Sequence, residues 1–179
     1  EGSAIYLVGN TSGTFPGQTS SGREDIFLAM FDSSGNMLWV KQFGTSSDDG
    51  VYSISADSSG LYLAGFTYGA FPGQASSGDF DAFIAKFDTS GNMVWVRQFG
   101  TDTYDGSSGV DTGDPGIYVA GVTWGAIQGK TPAESDDSFV AKYDSSGNML
   151  WMRQFGTKNN DYVYGIAANG SGVYVTGQT

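Results

Sequence analysis

Apolar positions in this chain fall in short runs separated by polar, glycine-rich stretches. Ile26-Phe27-Leu28-Ala29-Met30-Phe31 and Met37-Leu38-Trp39-Val40 are two such runs, divided by Asp32-Ser33-Ser34-Gly35-Asn36. Short runs rich in β-branched and aromatic residues and bounded by turn formers predict strands. The Asp-Ser-Ser-Gly-Asn stretch carries what a tight turn requires: side chains that bond the local backbone, and a Gly where φ is positive. No stretch sustains a period of 3.6, so almost no helix is expected.

The pattern returns every 56 residues without a gap. Ile5-Tyr6-Leu7-Val8-Gly9 recurs at Leu61 to Gly65, at Ile117 to Gly121 and at Val173 to Gly177. Phe31 to Trp39 recurs at Phe87 to Trp95 and at Tyr143 to Trp151. A fixed period of this length means stacked supersecondary units, each unable to bury its apolar surface alone. The copies span 1–60, 61–116 and 117–172, and 173–179 opens a fourth. One period reads as four strands, A (50–57), B (61–67), C (81–88) and D (93–100).

These strands do not alternate between apolar and polar. Sheets with one wet face alternate, whereas sheets covered on both faces do not. Four-stranded sheets that repeat and are buried on both sides are the blades of a β-propeller. The predicted fold class is therefore all-β, built of four-stranded antiparallel blades. A β-trefoil is the main rival, but its units are usually shorter and it should not run into a fourth copy. Glu1-Gly2-Ser3-Ala4 aligns with an A–B turn and the chain ends in a B strand. Closed propellers have about four to eight blades. The chain is therefore expected to be a segment of a longer repeat protein, or to form a ring or filament with copies of itself through exposed blade edges.

The recurring pattern G-x-T, long loop, D-x-F-x-A-K-x-D-x-S-G-N-x-x-W-x-x-Q-x-G, D-D-x-x-x-x-I resembles the bacterial β-propeller repeat family often labelled SBBP. The resemblance covers essentially the whole chain and implies an extracellular or cell-surface setting in bacteria. The third copy departs in its long loop, where Ile127-Gln128-Gly129-Lys130 replaces Phe71-Pro72-Gly73-Gln74. The second departs in its inner strand, where Ser107-Ser108-Gly109 replaces bulkier residues, so looser packing near the axis is expected there.

A net charge of −11 and a pI near 4.1 speak against nucleic acid, whose binding depends on Lys and Arg. No apolar run is long enough for a membrane span. Cys and His are absent, which removes disulfides, ordinary zinc sites and a His base for a Ser nucleophile. A retaining glycosidase needs two carboxyls about 5 Å apart, but repeated loop acids supply such pairs by chance. No enzymatic activity is expected. The chain has no starting Met and no leader pattern and reads as a mature or excised segment.

Antiparallel order puts the D–A and B–C loops on one rim. Most of the acid lies there: Glu24, Asp25, Asp48, Asp49, Asp79, Asp81, Asp102, Asp105, Glu134, Asp136, Asp137 and Asp161. Asp25, Asp81 and Asp137 share one repeat position, and Asp49, Asp105 and Asp161 share another. These six are candidate Ca²⁺ ligands, since Ca²⁺ wants six to eight hard oxygens. The competing reading is that each accepts backbone N–H bonds and pins its loop. Apart from Ca²⁺ no cofactor is implied.

Asp32, Asp88 and Asp144, with Trp39, Trp95 and Trp151, resemble the Asp-containing turns and docking tryptophans of other propellers. There the Asp holds the turn and the Trp packs between blades. Lys41, Arg97 and Arg153 share a position that reads as a solvated outer edge discouraging strand addition. Tyr68, Tyr104 and Trp124 break the symmetry on the acidic rim, as do Arg23 and Lys130; exposed rings near acids are what glycan sites use. Asn10 and Asn169 open glycosylation acceptor patterns. The sequence thus points to a non-enzymatic extracellular structural or interaction module. A glycan- or Ca²⁺-dependent binding module is the alternative.

Overall fold

The computed structural model describes residues 4–113, 116–127 and 135–179. Glu1, Gly2, Ser3, Gln128, Gly129, Lys130 and Glu134, which entered the sequence reading, lie outside the described residues. Thirteen strands occur in the order β1 (Ile5–Thr11), β2 (Asp25–Phe31), β3 (Met37–Phe43), β4 (Asp49–Asp57), β5 (Gly60–Thr67), β6 (Asp81–Phe87), β7 (Met93–Phe99), β8 (Asp105–Gly113), β9 (Gly116–Thr123), β10 (Asp137–Tyr143), β11 (Met149–Phe155), β12 (Tyr162–Asn169) and β13 (Gly172–Gln178). They form four antiparallel sheets in meander order: β1-β2-β3, β4-β5-β6-β7, β8-β9-β10-β11 and β12-β13. The sheets are open and stacked, and no α-helix occurs among the described residues. The all-β class and the repeated four-stranded antiparallel sheet are as the sequence predicts.

The cores lie between sheets. Leu61, Leu63, Phe83 and Ala85 face the first sheet and pack with Ile26 and Leu28. Their neighbours along the same two strands, Tyr62, Ala64, Ala82 and Ile84, face the third sheet and pack with Val119, Phe139 and Ala141. A third cluster joins Ala120 and Val140 to Val163 of β12. Successive side chains of a strand point to opposite faces, so an interior blade must be apolar at nearly every position. All seven residues of β6 are buried.

The first strands of the sheets, β4, β8 and β12, lie against one another. Val110 N–H donates to Ser53 Oγ at 3.1 Å, Ser55 Oγ donates to Asp111 Oδ1 at 3.1 Å, and Ala168 N–H donates to Asp111 Oδ2 at 2.7 Å. The expected looseness of Ser107-Ser108-Gly109 is not found at Gly109. Without side-chain bulk β8 is approached closely from both sides, and Ile166 Cγ2 lies 3.0 Å from where a Cβ on Gly109 would stand.

Each C–D turn is tied by its Asp. Ser90 and Asn92 N–H groups donate to Asp88 Oδ1 and Asn92 Nδ2 donates to Oδ2, all at 2.9 Å, and Asp32 and Asp144 repeat the set. Gly147 closes the third turn at φ 79°. The preceding blade reads this turn: Trp95 Nε1 donates to Ser145 O at 3.2 Å, and Arg97 donates to Ser146 O at 3.1 Å and Gly147 O at 2.8 Å. Trp39 and Lys41 lie against Gly91 of the second turn. Arg97 is thus a link between blades rather than a free edge charge, which corrects the edge reading for this residue. Trp151 and Arg153 meet no following turn among the described residues.

Truncating Trp95 to Ala should cost about 3 kcal/mol, the scale for a large aromatic losing its packing. Trp151→Ala should cost less than half as much by denaturant unfolding. Equal losses would show that these rings draw stability from their own blade and not from the next.

Candidate functional site

On the acidic rim the strand register sets three side chains in a row. Asp49 pairs with Thr67 and Thr67 with Asp81; Asp105 pairs with Thr123 and Thr123 with Asp137. A second contact brings acids from two repeat positions together across the following Gly. A Cβ on Gly100 would stand 2.4 Å from Asp81 Oδ1 and 2.9 Å from Asp105 Oδ2, and Gly44 and Gly156 are flanked likewise by Asp25 with Asp49 and by Asp137 with Asp161. The structure therefore groups the six sequence-selected acids as three pairs, one per blade step. Among the described residues no three acids gather as a metal cluster would require.

Local donors hold each carboxylate. Asp25 accepts from Ser21 N–H at 2.9 Å, Gly22 N–H at 3.1 Å and Gln42 Nε2 at 2.7 Å. Asp81 accepts from Ser77 N–H and Gln98 Nε2, and Asp137 from Gln154 Nε2. Asp49, Asp105 and Asp161 each accept from the N–H and hydroxyl of the Thr four residues earlier. The Asp oxygens so engaged leave Oδ1 of Asp81, Asp105 and Asp137 buried without a partner. The repeated Gln is the element that residue-type reasoning passed over. Gln98 also donates to Gly69 O and accepts from Phe71 N–H, so it locks the long B–C loop onto the rim. Its signal was present, since it stands beside the basic position in every copy.

Burial, against the hydrogen bonds from Thr67 and Thr45, pushes the Asp49 carboxyl up, and the Asp25 charge adds to this. Asp105 is raised for the same reason, with Asp81 as the nearby charge. Burial also works on Asp25, but there the donors from Gln42, Ser21 and Gly22 outweigh it and hold the carboxyl below the ordinary range.

The symmetry-breaking rings assemble on this rim. Phe66 lies 5.2 Å from Phe80, Phe80 5.0 Å from Tyr104, and Tyr104 4.7 Å from Trp124 edge-on. Tyr68 lies 5.1 Å from Phe80, and Tyr52 5.5 Å from Phe66. Tyr68 and Trp124 are half-exposed at 47% and 50%. The row lines an open cleft of about 580 Å³, with Asp136 at its edge and Ser108 and Val122 in its wall. A β-bulge interrupts each inner strand at Tyr52, Ser108 and Tyr164. A bulge re-aims the extra residue, and all three line the cleft. Ser108 makes room where the other two copies carry Tyr.

Tyr104 and Trp124, selected from sequence, therefore stand in the row that lines the cleft, whereas Tyr68 packs on Phe66 and Phe80 outside its lining. Phe66, Phe80 and Tyr52 were not selected, although Phe80 replaces Glu24 and Asp136 of the neighbouring copies. Arg23 is paired with Asp48 at the foot of Tyr68. Asn10 accepts from Val51 N–H at 2.9 Å, and Asn169 from Ser171 N–H at 2.9 Å.

No family model matches the chain. It is 26% identical over 195 residues to the regulatory protein FlaEY of Caulobacter vibrioides, covering 96% of this chain and 20% of that protein. It is 25% identical over 173 residues to an uncharacterized WD repeat-containing protein, L264, of Acanthamoeba polyphaga mimivirus, covering 79% of this chain and 12% of that one. A crystal structure of a protein of unknown function from Bacteroides caccae superposes with a TM-score of 0.56 at 12% identity, over 98% of this chain and 50% of that chain. The chain thus spans a fifth or less of the length of these two relatives. With the repeated blades, these likenesses support a β-propeller-type repeat.

A carboxyl whose folded pKa is raised stabilises below its unfolded value and loses that contribution as pH rises through the folded value. Asp105→Asn should therefore gain on the parent in melting temperature as pH goes from 4 to 7. A difference independent of pH would show that Asp105 is not held against its charge. Millimolar Ca²⁺ should move the melting temperature by no more than about 2 °C, because no pair gathers a third carboxylate. A rise above about 5 °C, abolished by Asp81→Asn with Asp105→Asn, would make the pairs metal sites.

Proposed function

We propose that this chain is a non-enzymatic recognition and assembly module, a stack of β-propeller-type blades that presents the aromatic cleft of one rim to a ligand. The carrying observation is where the copies cease to match. Scaffold positions repeat in every blade, whereas the cleft positions Tyr52/Ser108/Tyr164, Phe66/Val122/Gln178 and Glu24/Phe80/Asp136 do not. Rigidity alone does not require half-exposed rings gathered on one rim, and exposed apolar patches of this kind mark interaction sites. The use of the paired carboxylates to hold backbone N–H groups favours a non-catalytic reading.

The module works within a larger repeat protein; the short share of its relatives that it spans supports this. Trp151 and Arg153 at one end and the Asp32 turn at the other are the two halves of the junction seen between interior blades. A neighbouring repeat or a second copy can fit them, closing a ring or extending a filament. The resemblance to bacterial propeller repeats favours an extracellular or cell-surface setting. A glycan is the second reading of the ligand, favoured by Tyr104 and Trp124 standing within reach of Asp136.

If the rings serve recognition, Trp124→Ala should melt within about 2 °C of the parent while losing ligands on arrays of peptides and oligosaccharides. A loss of stability as large as that of Trp95→Ala would make Trp124 scaffold and remove the basis of the reading.

A further inference from the structure

We infer that the cleft receives a positively charged side chain, carried on an arginine- or lysine-bearing peptide segment laid along the row of rings beside the Asp136 carboxylate. This rests on the cleft being the recognition site. The residues at one repeat position decide it. Glu24, Phe80 and Asp136 each give their carbonyl to the N–H of the Asp that opens the next inner strand, at 2.9, 3.0 and 2.8 Å. They therefore stand at equivalent places on successive blades, in the order carboxylate, ring, carboxylate.

Of the two carboxylates, Asp136 lines the cleft. Burial pushes the Tyr52 phenol up, and Tyr68 and then Glu24 add to it. The Asp136 carboxylate beside Tyr162 pushes that phenol up as well. The rings of Phe66, Phe80, Tyr104 and Trp124 follow one another at about 5 Å. Aromatic faces carry negative potential and attract a cation within about 6 Å of the ring centre. The fold uses this contact elsewhere: Lys86 lies over Tyr62, Lys142 over Tyr118 and Arg97 over Trp95.

Among the described residues no Lys or Arg lines the cleft, and Arg23 on the same rim is engaged by Asp48. Its negative potential is thus left for a ligand, and the net charge of −11 adds to it. An uncharged apolar occupant would cover the rings but leave the buried Asp136 carboxylate without a countercharge. An anion would meet the Asp136 carboxylate. The row is several rings long and open along its length, which suits an extended chain better than a single small ammonium ion.

The test is calorimetric titration of the full chain with three probes. They are a capped hexapeptide alternating Arg and Gly, the same peptide with Gln for Arg, and a neutral hexasaccharide. The Arg peptide should bind at least about tenfold more tightly than the Gln peptide. Trp124→Ala and Asp136→Asn should each weaken it roughly three- to tenfold. Asp57→Asn, at the opposite rim, should change it less than about twofold. Equal weakening by Asp57→Asn and Asp136→Asn would reduce the binding to diffuse attraction and overturn the inference. Binding of the hexasaccharide through Trp124, with none of the Arg peptide, would overturn the cationic ligand and keep the cleft. Failure of all three probes would also overturn the cationic ligand; the recognition reading falls with it only if Trp124→Ala also loses nothing on the arrays.

Discussion

An interior blade of this protein has no face it can show to water. In β5, Leu61 and Leu63 belong to the core shared with the first sheet, and Tyr62 and Ala64 to the core shared with the third. The hydrophobic effect acts on both faces at once, so a blade is stable only between neighbours. The remaining repeated features set the spacing and angle at which one sheet meets the next. The inner strands are stitched by Ser53, Ser55 and Asp111. At the outer strands Trp95 and Arg97 hold the backbone of the next turn.

The acidic rim solves a different problem. Long B–C loops carry backbone N–H groups that no strand pairs, and such groups must find acceptors. The Asp at the start of β6 and the Gln of β7 supply them, while the Asp at the start of β8 ties the D–A loop through Thr101. Two carboxylates are then brought close together out of water, which raises Asp105. The donors offset that cost, and the missing side chain of Gly100 leaves the space in which both carboxylates fit.

On this rigid rim a few substitutions change the surface without changing the scaffold. Ser108 in place of Tyr opens the cleft wall, and Phe80 puts a ring at the repeat position where the flanking copies carry Glu24 and Asp136. Tyr104 and Trp124 extend the row. The bulges at Tyr52, Ser108 and Tyr164 already aim these positions at the rim, so the repeat offers a site wherever its residues diverge.

The sequence by itself determined the architecture. Strand positions and the Asp turns followed from local chemistry, the blade from apolarity on both faces, and the stack from an unbroken period of 56. It also selected the six rim acids and two of the cleft rings, because composition and symmetry mark them. Pattern says which face a side chain is on, but not which neighbour it will meet there. The pairing of Asp81 with Asp105 across Gly100, the capture of the 144–148 turn by Arg97, the close packing at Gly109 and the joining of Tyr52 and Phe66 to Trp124 are all of this second kind. They unite residues that are separated along the chain or buried on facing blades. Only the stacking of one sheet on the next decides their distances, and so only the tertiary structure could place them.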